Sequence, residues 1–349
     1  MSRASGIEHL RPFLPGLEAL LSDPTVTEVM INGPHVVWIE REGCLLSHPA
    51  PDLDSAALKR AAIQICRPLS LDPARTPTID ARLADGSRVA VSVPPASPEV
   101  AITIRRFGEK GFSASELVSM GALPEELLVE ISMTLERRHN ILVSGGTGSG
   151  KTTLLNALIE LLPKGERIVT IEDTLELRFN HANTVRFEAG GREDSPVTIR
   201  SLVKHALRHR PDHIVVGEVR GGEAADLLQA LNTGHGGSLT TIHANNCESA
   251  LQRLASCAMM AGGGLPWEAV CRSVVDGIAM VVHMTRREGR RYVEDAIQVG
   301  SYSLSKKRFE WEPIPFELAR RQTAADVGAS RNGESPGPRV TVKRQGSCG

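Results

Sequence analysis

One nine-residue stretch, GGTGSGKTT at Gly145–Thr153, restricts this 349-residue chain more than any other feature. It fits the pattern G-x-x-x-x-G-K-[S/T] and directly follows HNILVS, an apolar run typical of a β-strand. The residues after it, LLNALIELL, are typical of a helix. A glycine-rich turn between a strand and a helix N-terminus directs backbone N–H groups at a phosphate. The stretch therefore predicts a loop that binds a nucleoside triphosphate.

The residue types in this loop have separate tasks in nucleotide binding. We expect Lys151 to reach the β- and γ-phosphates, and the Thr152 hydroxyl to ligate Mg²⁺. The glycines allow successive backbone N–H groups to turn inward around the phosphates. The predicted nucleotide-binding residues are Gly145, Gly146, Thr147, Gly148, Ser149, Gly150, Lys151, Thr152 and Thr153.

Composition argues against some classes of partner. Forty Lys and Arg against forty-one Asp and Glu give a formal net charge of -1, so the chain lacks the overall basic field of a protein that coats nucleic acid. Three Trp, two Tyr and seven Phe supply few surfaces for stacking bases. The six cysteines show no C-x-x-C pair, which favours reduced thiols. With no signal peptide or long apolar span, we expect a cytoplasmic protein that does not bind nucleic acid.

The first part of the chain, residues 1–108, is predicted to be a small α+β domain. A helix is expected at about Ile7–Leu21 and another at Ser55–Cys66. Short apolar runs predict strands, two of them joined by the turn pair Asp85-Gly86. These elements indicate a mostly antiparallel sheet with helices.

The rhythm of the sequence changes after a predicted linker at 109–122. Residues 123–302 alternate strands and helices, which is typical of a parallel sheet with crossover helices. Residues 303–349 are predicted to form a C-terminal extension that is disordered from about residue 320, because Gly, Pro, Ser and Arg dominate there. The predicted fold class is α/β, with a smaller α+β N-terminal domain.

Polar residues end three of the predicted parallel strands. Glu172 and Asp173 end RIVTIED, Glu218 ends HIVVGE, and His243 ends GSLTTIH. Gly217 stands where a P-loop ATPase normally carries an aspartate that helps to hold Mg²⁺. Ligand clefts of open α/β sheets lie at the carboxyl ends of their strands. We predict that Glu218 polarises the attacking water and that Glu172 shares this task or the Mg²⁺ shell.

Phosphoryl transfer also needs positive charge from outside the P-loop. Arg200, Arg208 and Arg210 surround the helix that leads into the Glu218 strand. One of them, for which we choose Arg210, is a candidate arginine finger for a neighbouring site. The alternative is that all three are surface charges of a helix.

These motifs, in this order, resemble the secretion ATPases of type II and type IV secretion systems. The resemblance is strongest to the CpaF-like branch, which powers assembly of Flp/tight-adherence pili, and it spans about Asp23 to about Gly300. The motifs that carry it are DPTVTEVMINGP, IDARLADGSRV, ILVSGGTGSGKTTLLNAL, RIVTIED, VTIRSLVKHALRHRPDHIVVGEVRGGEA and NTGHGGSLTTIHAN. The sequence departs from the family at His213, where relatives usually have an arginine, and in the loop GGREDS at 190–195.

The resemblance implies a homo-hexameric ring of two-domain subunits. ATP would bind between the N-terminal domain and a RecA-like P-loop domain, and the ring would act on integral-membrane platform proteins from the cytoplasmic side of the inner membrane. It implies these roles: Walker A for Lys151 and Thr152, the acidic "Asp box" for Glu172, the Walker B glutamate for Glu218, the "His box" for His243, and the N-terminal-domain arginine that reaches the phosphates for Arg105 or Arg106.

Three other functions stay open at this point. A conjugative-transfer or type IV secretion ATPase would move DNA or effectors with the same core. A nucleotide-gated scaffold would bind ATP and hardly hydrolyse it. A DNA-translocating helicase would share the fold, but the near-neutral charge and few aromatic residues count against it. The basic tail leaves peripheral contact with a membrane open as well.

Overall fold

The computed structural model describes residues 6–41, 44–50, 52–67, 71–83, 85–106, 111–189 and 196–317. These residues form a six-stranded sheet and an eight-stranded sheet, each covered by helices. The predicted α/β fold class with a separate N-terminal sheet is confirmed. The predicted disordered tail from about residue 320 and the loop at 190–195 lie outside the described residues.

The N-terminal sheet is antiparallel throughout, as predicted. Its strands run in the order β3-β2-β1-β6-β5-β4. The predicted turn at Asp85-Gly86 joins β4 to β5, and Gly86 has a φ of 89°, which a glycine adopts without strain. The strands are β1 (Val26–Asn32), β2 (Val36–Arg41), β3 (Cys44–Pro49), β4 (Thr78–Arg82), β5 (Arg88–Ser92) and β6 (Ala101–Arg105).

Helices cover one face of this sheet. The predicted helix α1 (Ser55–Cys66) is confirmed, and it buries its apolar side against the sheet. The predicted helix at Ile7–Leu21 is wrong in type and length, because a 3-10 helix spans only Ile7–Phe13 and turns follow it. Proline lacks the N–H that a continuing helix needs, and Pro12 and Pro15 interrupt the backbone ladder here.

The eight-stranded sheet contains the P-loop. Its order is β14-β13-β12-β7-β11-β10-β8-β9, with parallel pairing from β12 to β9 and an antiparallel hairpin, β13 and β14, at one edge. The strands are β7 (Ile141–Gly145), β8 (Ile168–Glu172), β9 (Thr184–Glu188), β10 (His213–Val219), β11 (Leu239–His243), β12 (Met280–Arg287), β13 (Arg290–Ser303) and β14 (Arg308–Pro313).

Helices pack on both faces of the parallel strands, which explains why those strands are continuous apolar runs. Helices α2, α3 and α4 line one face, and α5 to α8 line the other. These helices are α2 (Ala114–Ser119), α3 (Glu125–Glu136), α4 (Lys151–Ile159), α5 (Ile199–Ala206), α6 (Glu223–Leu231), α7 (Cys247–Met259) and α8 (Trp267–Gly277).

Packing around the eight-stranded sheet extends past residues 123–302 on both sides. Leu117, from the predicted linker, is buried in the same apolar cluster as Leu154 and Leu158 of α4. Strand β14 pairs with β13 although it follows residue 302. The apolar sequence of α2 and the ladder bonds of β14 therefore add both elements to this unit, and the exact domain boundaries stay a prediction.

Asp54 caps the N-terminus of α1, where its Oδ1 accepts a hydrogen bond of 2.6 Å from the backbone N–H of Ala57. An Asp54→Ala variant should lose about 1 kcal/mol of unfolding free energy, because that N–H would have no protein acceptor. Urea denaturation followed by circular dichroism measures the loss. Asp52→Ala, two residues away, is the control and should change the free energy by less than about 0.5 kcal/mol. Equal stabilities for the two variants would contradict the assigned cap.

Candidate nucleotide site

The P-loop is held in a shape that suits a phosphate group. Gly150 precedes α4 with a φ of 99°, so the turn into the helix needs a residue without a Cβ. A Cβ at Gly145 would lie 2.4 Å from the carbonyl oxygen of Met284, so β12 approaches the loop too closely for any side chain there. The Ser149 hydroxyl is buried and has no hydrogen-bond partner among the described residues. An inward-facing loop with an unsatisfied polar atom fits bound phosphate.

Lys151 lies folded over this loop. Its Nζ donates to the carbonyl oxygens of Gly145 at 3.0 Å and Gly146 at 2.9 Å, and it lies 3.4 Å from Nδ1 of His243. Burial lowers the pKa of Lys151, while the nearby Glu218 carboxylate opposes that change. The ammonium group is therefore held where a phosphate would compete with the two carbonyls for it.

The parallel register brings the predicted strand-end residues together at one edge of the sheet. Strands β7, β11, β10 and β8 are consecutive neighbours. The P-loop follows the first, and His243, Glu218 and Glu172 lie at or near the ends of the other three. Because all four strands point the same way, these side chains lie in one line across the carboxyl ends of the strands.

Glu218 is the centre of this line. Its Oε1 lies 2.7 Å from Nε2 of His243, and its Oε2 accepts hydrogen bonds from Arg220 Nε at 2.9 Å and Nη2 at 2.5 Å. The same guanidinium lies 3.2 Å from the Asp173 carboxylate. The sequence analysis did not single out Arg220, although it lies within the motif GEVRGG. Its contacts with both Glu218 and Asp173 can be foreseen only if β10 and β8 are known to be neighbours in the sheet.

His243 is a neutral link in this line at pH 7. Burial lowers its pKa below the ordinary value of 6.5, and the positive charge of Lys151 lowers it further. The Glu218 carboxylate acts in the opposite direction. The imidazole therefore separates a cation from a carboxylate without adding a charge of its own.

Glu172 is only 2 % exposed, and its carboxylate organises the loop after β8. Its Oε2 accepts backbone hydrogen bonds from Glu176 at 2.6 Å and Leu177 at 2.7 Å, and its Oε1 lies 3.1 Å from Arg186 Nη2. Burial raises the pKa of Glu172, although these donors favour the charged form. To join a Mg²⁺ shell or orient water, Glu172 would have to exchange these donors, so both roles stay predictions.

The glycine in place of the usual aspartate has a structural reason. A Cβ at Gly217 would lie 3.2 Å from Cγ of Glu172. That contact is tighter than normal packing, so Gly217 makes room for the carboxylate on the neighbouring strand.

In the part of the chain that the structure describes, no group of three or more His, Cys, Asp or Glu residues is placed to hold a metal ion. Mg²⁺ at nucleotide sites is usually held by one or two protein ligands, waters and phosphates.

The two arginines expected from the N-terminal domain have different surroundings. Arg105 Nε lies 3.3 Å from Glu28, and its charge contributes to the lowered pKa of Lys151. Arg106 instead donates a hydrogen bond to the backbone oxygen of Asp23. Of the two, Arg105 is therefore the one whose charge acts on the P-loop.

The chain does not bring Arg210 to its own P-loop. Arg210 precedes β10, whereas Glu218 lies near the other end of that strand. Its side chain is 83 % exposed and lies 3.6 Å from Asp212. Arg200 is committed to Asp226 on the neighbouring helix at 2.6 Å. A role for Arg210 in phosphoryl transfer therefore requires the site of another subunit.

Residues 15–301 match the family described as "Type II/IV secretion system protein". This chain belongs to that family. The predicted resemblance to secretion ATPases is confirmed at the level of the family, and the match covers the six-stranded sheet and all of the eight-stranded sheet except β14 and the end of β13. The CpaF-like branch is not distinguished at this level.

Members of the family with named systems are similar over most of their length. A probable conjugal transfer protein TrbB of Sinorhizobium fredii is 35% identical over 309 residues, covering 87% of this chain and 92% of that protein. The type IV secretion system protein VirB11 of Brucella suis is 33% identical over 317 residues, covering 81% and 87%. The crystal structure of the Legionella pneumophila ATPase DotB has a TM-score of 0.61 at 21% identity over 85% of this chain and 82% of that one, which shows the shared fold.

The charges around His243 predict its titration. The imidazole should titrate below pH 6.5, because burial and Lys151 disfavour its protonated form. Lys151→Ala should raise this pKa by removing a positive charge, and Glu218→Gln should lower it by removing a negative one. Histidine ring signals in NMR spectra, followed against pH, measure all three values. A titration at or above 6.5, or one that neither substitution moves, would contradict this arrangement.

Proposed function

We propose that this protein is an ATP hydrolase that powers a secretion or pilus apparatus. The observation that supports it best is the line from the P-loop through His243 to Glu218 at one sheet edge. A phosphate-binding loop alone is enough for nucleotide binding. A carboxylate placed beside that loop adds the group that hydrolysis needs to orient water.

The residues of the site divide the work of hydrolysis. Lys151 compensates phosphate charge, and Thr152 supplies a hydroxyl ligand for Mg²⁺, which when bound neutralises charge that develops on the phosphates. Glu218 orients the attacking water. Arg220 holds its Oε2 by two hydrogen bonds, and His243 lies 2.7 Å from its Oε1. Arg105 adds positive charge from the N-terminal sheet.

Substituting Glu218 tests this division. Glu218→Gln keeps the shape of the side chain and removes the charge that orients water, so kcat should fall by about a hundredfold or more. Affinity for ATP should persist, because the P-loop is unchanged. A phosphate-release assay and fluorescence titration with a labelled ATP measure the two quantities.

Glu160→Gln, at the exposed end of α4, is the control and should match the wild type. Glu172→Gln should also impair turnover, by loosening the loop that its carboxylate holds. Normal hydrolysis by both the Glu218 and the Glu172 variants would show that this assignment of the site is wrong. A wild-type protein that binds ATP without turnover would instead support a nucleotide-gated scaffold.

Completing the site with Arg210 requires a ring, for which we propose the hexamer implied by the resemblance. Arg210 is exposed and lies just before β10, at the end of that strand opposite Glu218, which suits a contribution to a neighbouring subunit. Arg210→Ala should then lower kcat by about a thousandfold with little change in affinity for ATP, as for other arginine fingers. Arg272→Ala, on the exposed side of α8, is the control.

Mixing two inactive variants separates this idea from a local effect. Arg210→Ala subunits keep Glu218, and Glu218→Gln subunits keep Arg210. Where the two alternate in a mixed ring, some sites hold both groups and activity should return. An inactive mixture, with ring formation confirmed by size-exclusion chromatography, would rule out action between subunits.

The apparatus itself is a finer proposal with two candidates. The quoted motifs favour the Flp/tight-adherence pilus, whereas TrbB and VirB11 at 35% and 33% identity favour conjugal transfer or type IV secretion. Neighbouring genes separate them, because prepilin and prepilin peptidase genes accompany the first and a relaxase gene the second. ATP turnover stimulated by DNA would instead indicate a translocating helicase.

For location, we propose the cytoplasmic face of the inner membrane, with integral-membrane platform proteins as partners. Among the described residues, no helix has both the length and the apolar character needed to cross a bilayer. Co-purification of the protein with membranes only when the partner genes are present would test this proposal.

A further inference from the structure

An acidic side chain of the N-terminal sheet contacts two arginines of the P-loop unit. Glu40 lies in β2, and only 12 % of its side chain is exposed. Its Oε1 lies 3.1 Å from Nη2 of Arg291 and 3.3 Å from Nη2 of Arg286. The two arginines face each other across the β12–β13 hairpin. One carboxylate oxygen therefore bridges two guanidinium groups of the other sheet.

The same two arginines rest on the P-loop. Arg291 Nε donates a hydrogen bond of 2.8 Å to the carbonyl oxygen of Gly148. A Cβ built on Gly148 would lie 3.4 Å from Nη1 of Arg286, and one on Gly150 would lie 3.5 Å from Cδ of Arg291. The hairpin reaches this position because β12 pairs with β7, the strand that ends in the loop. Both guanidinium groups thus lie beside the loop that suits phosphate.

The chemistry of these groups sets up a competition. Guanidinium groups bind phosphate in the same forked geometry as carboxylate, and a nucleotide brings more negative charge than one glutamate. Elsewhere the contacts between the sheets have the opposite polarity, since Arg82 and Arg88 of the N-terminal sheet contact Glu188 at 3.1 Å and Glu176 at 2.9 Å. Glu40 therefore meets the arginines where incoming phosphate would compete with it.

We propose that Arg286 and Arg291 form a phosphate-binding subsite beside the P-loop, which Glu40 occupies until a nucleotide displaces it. Binding of phosphate and binding of Glu40 to these arginines then exclude each other. Nucleotide binding releases this contact of the N-terminal sheet, and by linkage a movement of the sheet changes nucleotide affinity by the same factor. The inference rests on the proposed binding of ATP at the P-loop.

The test compares nucleotide affinities of charge variants. Glu40→Gln should bind fluorescent ATP about fivefold or more tightly than the wild type, with a smaller gain for ADP, because freed arginines respond to phosphate charge. Arg291→Gln should bind ATP more weakly. In an Arg286→Gln, Arg291→Gln background, Glu40→Gln should have no further effect.

The matched control is Glu294→Gln, which removes an acid of the same hairpin. Glu294 pairs with Arg287 and touches neither Glu40 nor the P-loop in the contacts that the structure describes. Its ATP and ADP affinities should equal those of the wild type. This comparison separates the position of Glu40 from a general rise in positive charge.

A second readout follows the sheet itself. Trp38 lies two residues from Glu40 on the same face of β2 and is 41% exposed. With Trp267 and Trp311 replaced by Phe, its emission should shift when ATP is added. In Glu40→Gln, the shifted emission should be present without nucleotide, and adding ATP should change it little.

The outcomes distinguish the subsite from the proposed function. If the wild type binds no nucleotide, the proposed function fails together with the subsite. If it binds ATP but Glu40→Gln has unchanged or weaker affinity, the subsite alone is overturned. Should Glu40→Gln fail to fold, the Arg286→Gln, Arg291→Gln variant decides: a loss of affinity that is larger for ATP than for ADP supports the subsite, and an equal or absent loss overturns it.

Discussion

The parallel register of β7, β11, β10 and β8 is the constraint on which the rest of the site depends. Backbone pairing fixes which residues end each strand at the same height, and it does so without reference to their side chains. The pairing of β10 with β11 shifts register between Val216 and Val219, so the direction of the Glu218 side chain depends on this irregularity as well as on the regular pairing before it. The catalytic proposal therefore rests on buried, largely apolar strands that carry their reactive side chains at or near their carboxyl ends.

Within that frame, the unusual Gly217 and Glu172 belong together. Glu172 is buried, and its neighbour on β10 can be nothing larger than glycine without crowding it. Glu172 lies on β8 beside this glycine, where its carboxylate holds the following loop by two backbone hydrogen bonds. Glu218 is the next residue of β10. Its carboxylate contacts the neutral His243 on the side of the P-loop and the cationic Arg220.

Charge also joins the two sheets, and it does so at both sides of the P-loop. Arg82 and Arg88 contact the segment after β8, which Glu172 organises, while Glu40 contacts the hairpin arginines that touch Gly148. Partly exposed ion pairs of this kind add little stability. They can change partners at low energetic cost, which the proposed displacement of Glu40 by phosphate requires.

The sequence by itself determined the P-loop, the helix α1 and the turn at Asp85-Gly86, because each depends on a local rule: a glycine spacing, an apolar period or a turn residue. It also placed Glu218, Glu172 and His243 at or near strand ends, since strand-end positions follow from strand boundaries. Strand β9 and the hairpin β13–β14 were not predicted, because apolar and polar residues do not alternate clearly along these partly exposed segments. Those strands form through ladder bonds to their neighbours, and β13 and β14 also bury Ile297 and Phe309 in the core.

Only the tertiary structure decided the partners of these residues. Arg220 bridges Glu218 and Asp173 because β10 and β8 are neighbours. Arg105, the last residue of β6, contacts Glu28, whereas Arg106 after the strand donates to the backbone oxygen of Asp23. Glu40 meets Arg291 across 251 positions of sequence. No local pattern encodes such a contact, because it arises from the packing of two separately formed sheets, and long-range electrostatics depends on distance in space and not along the chain.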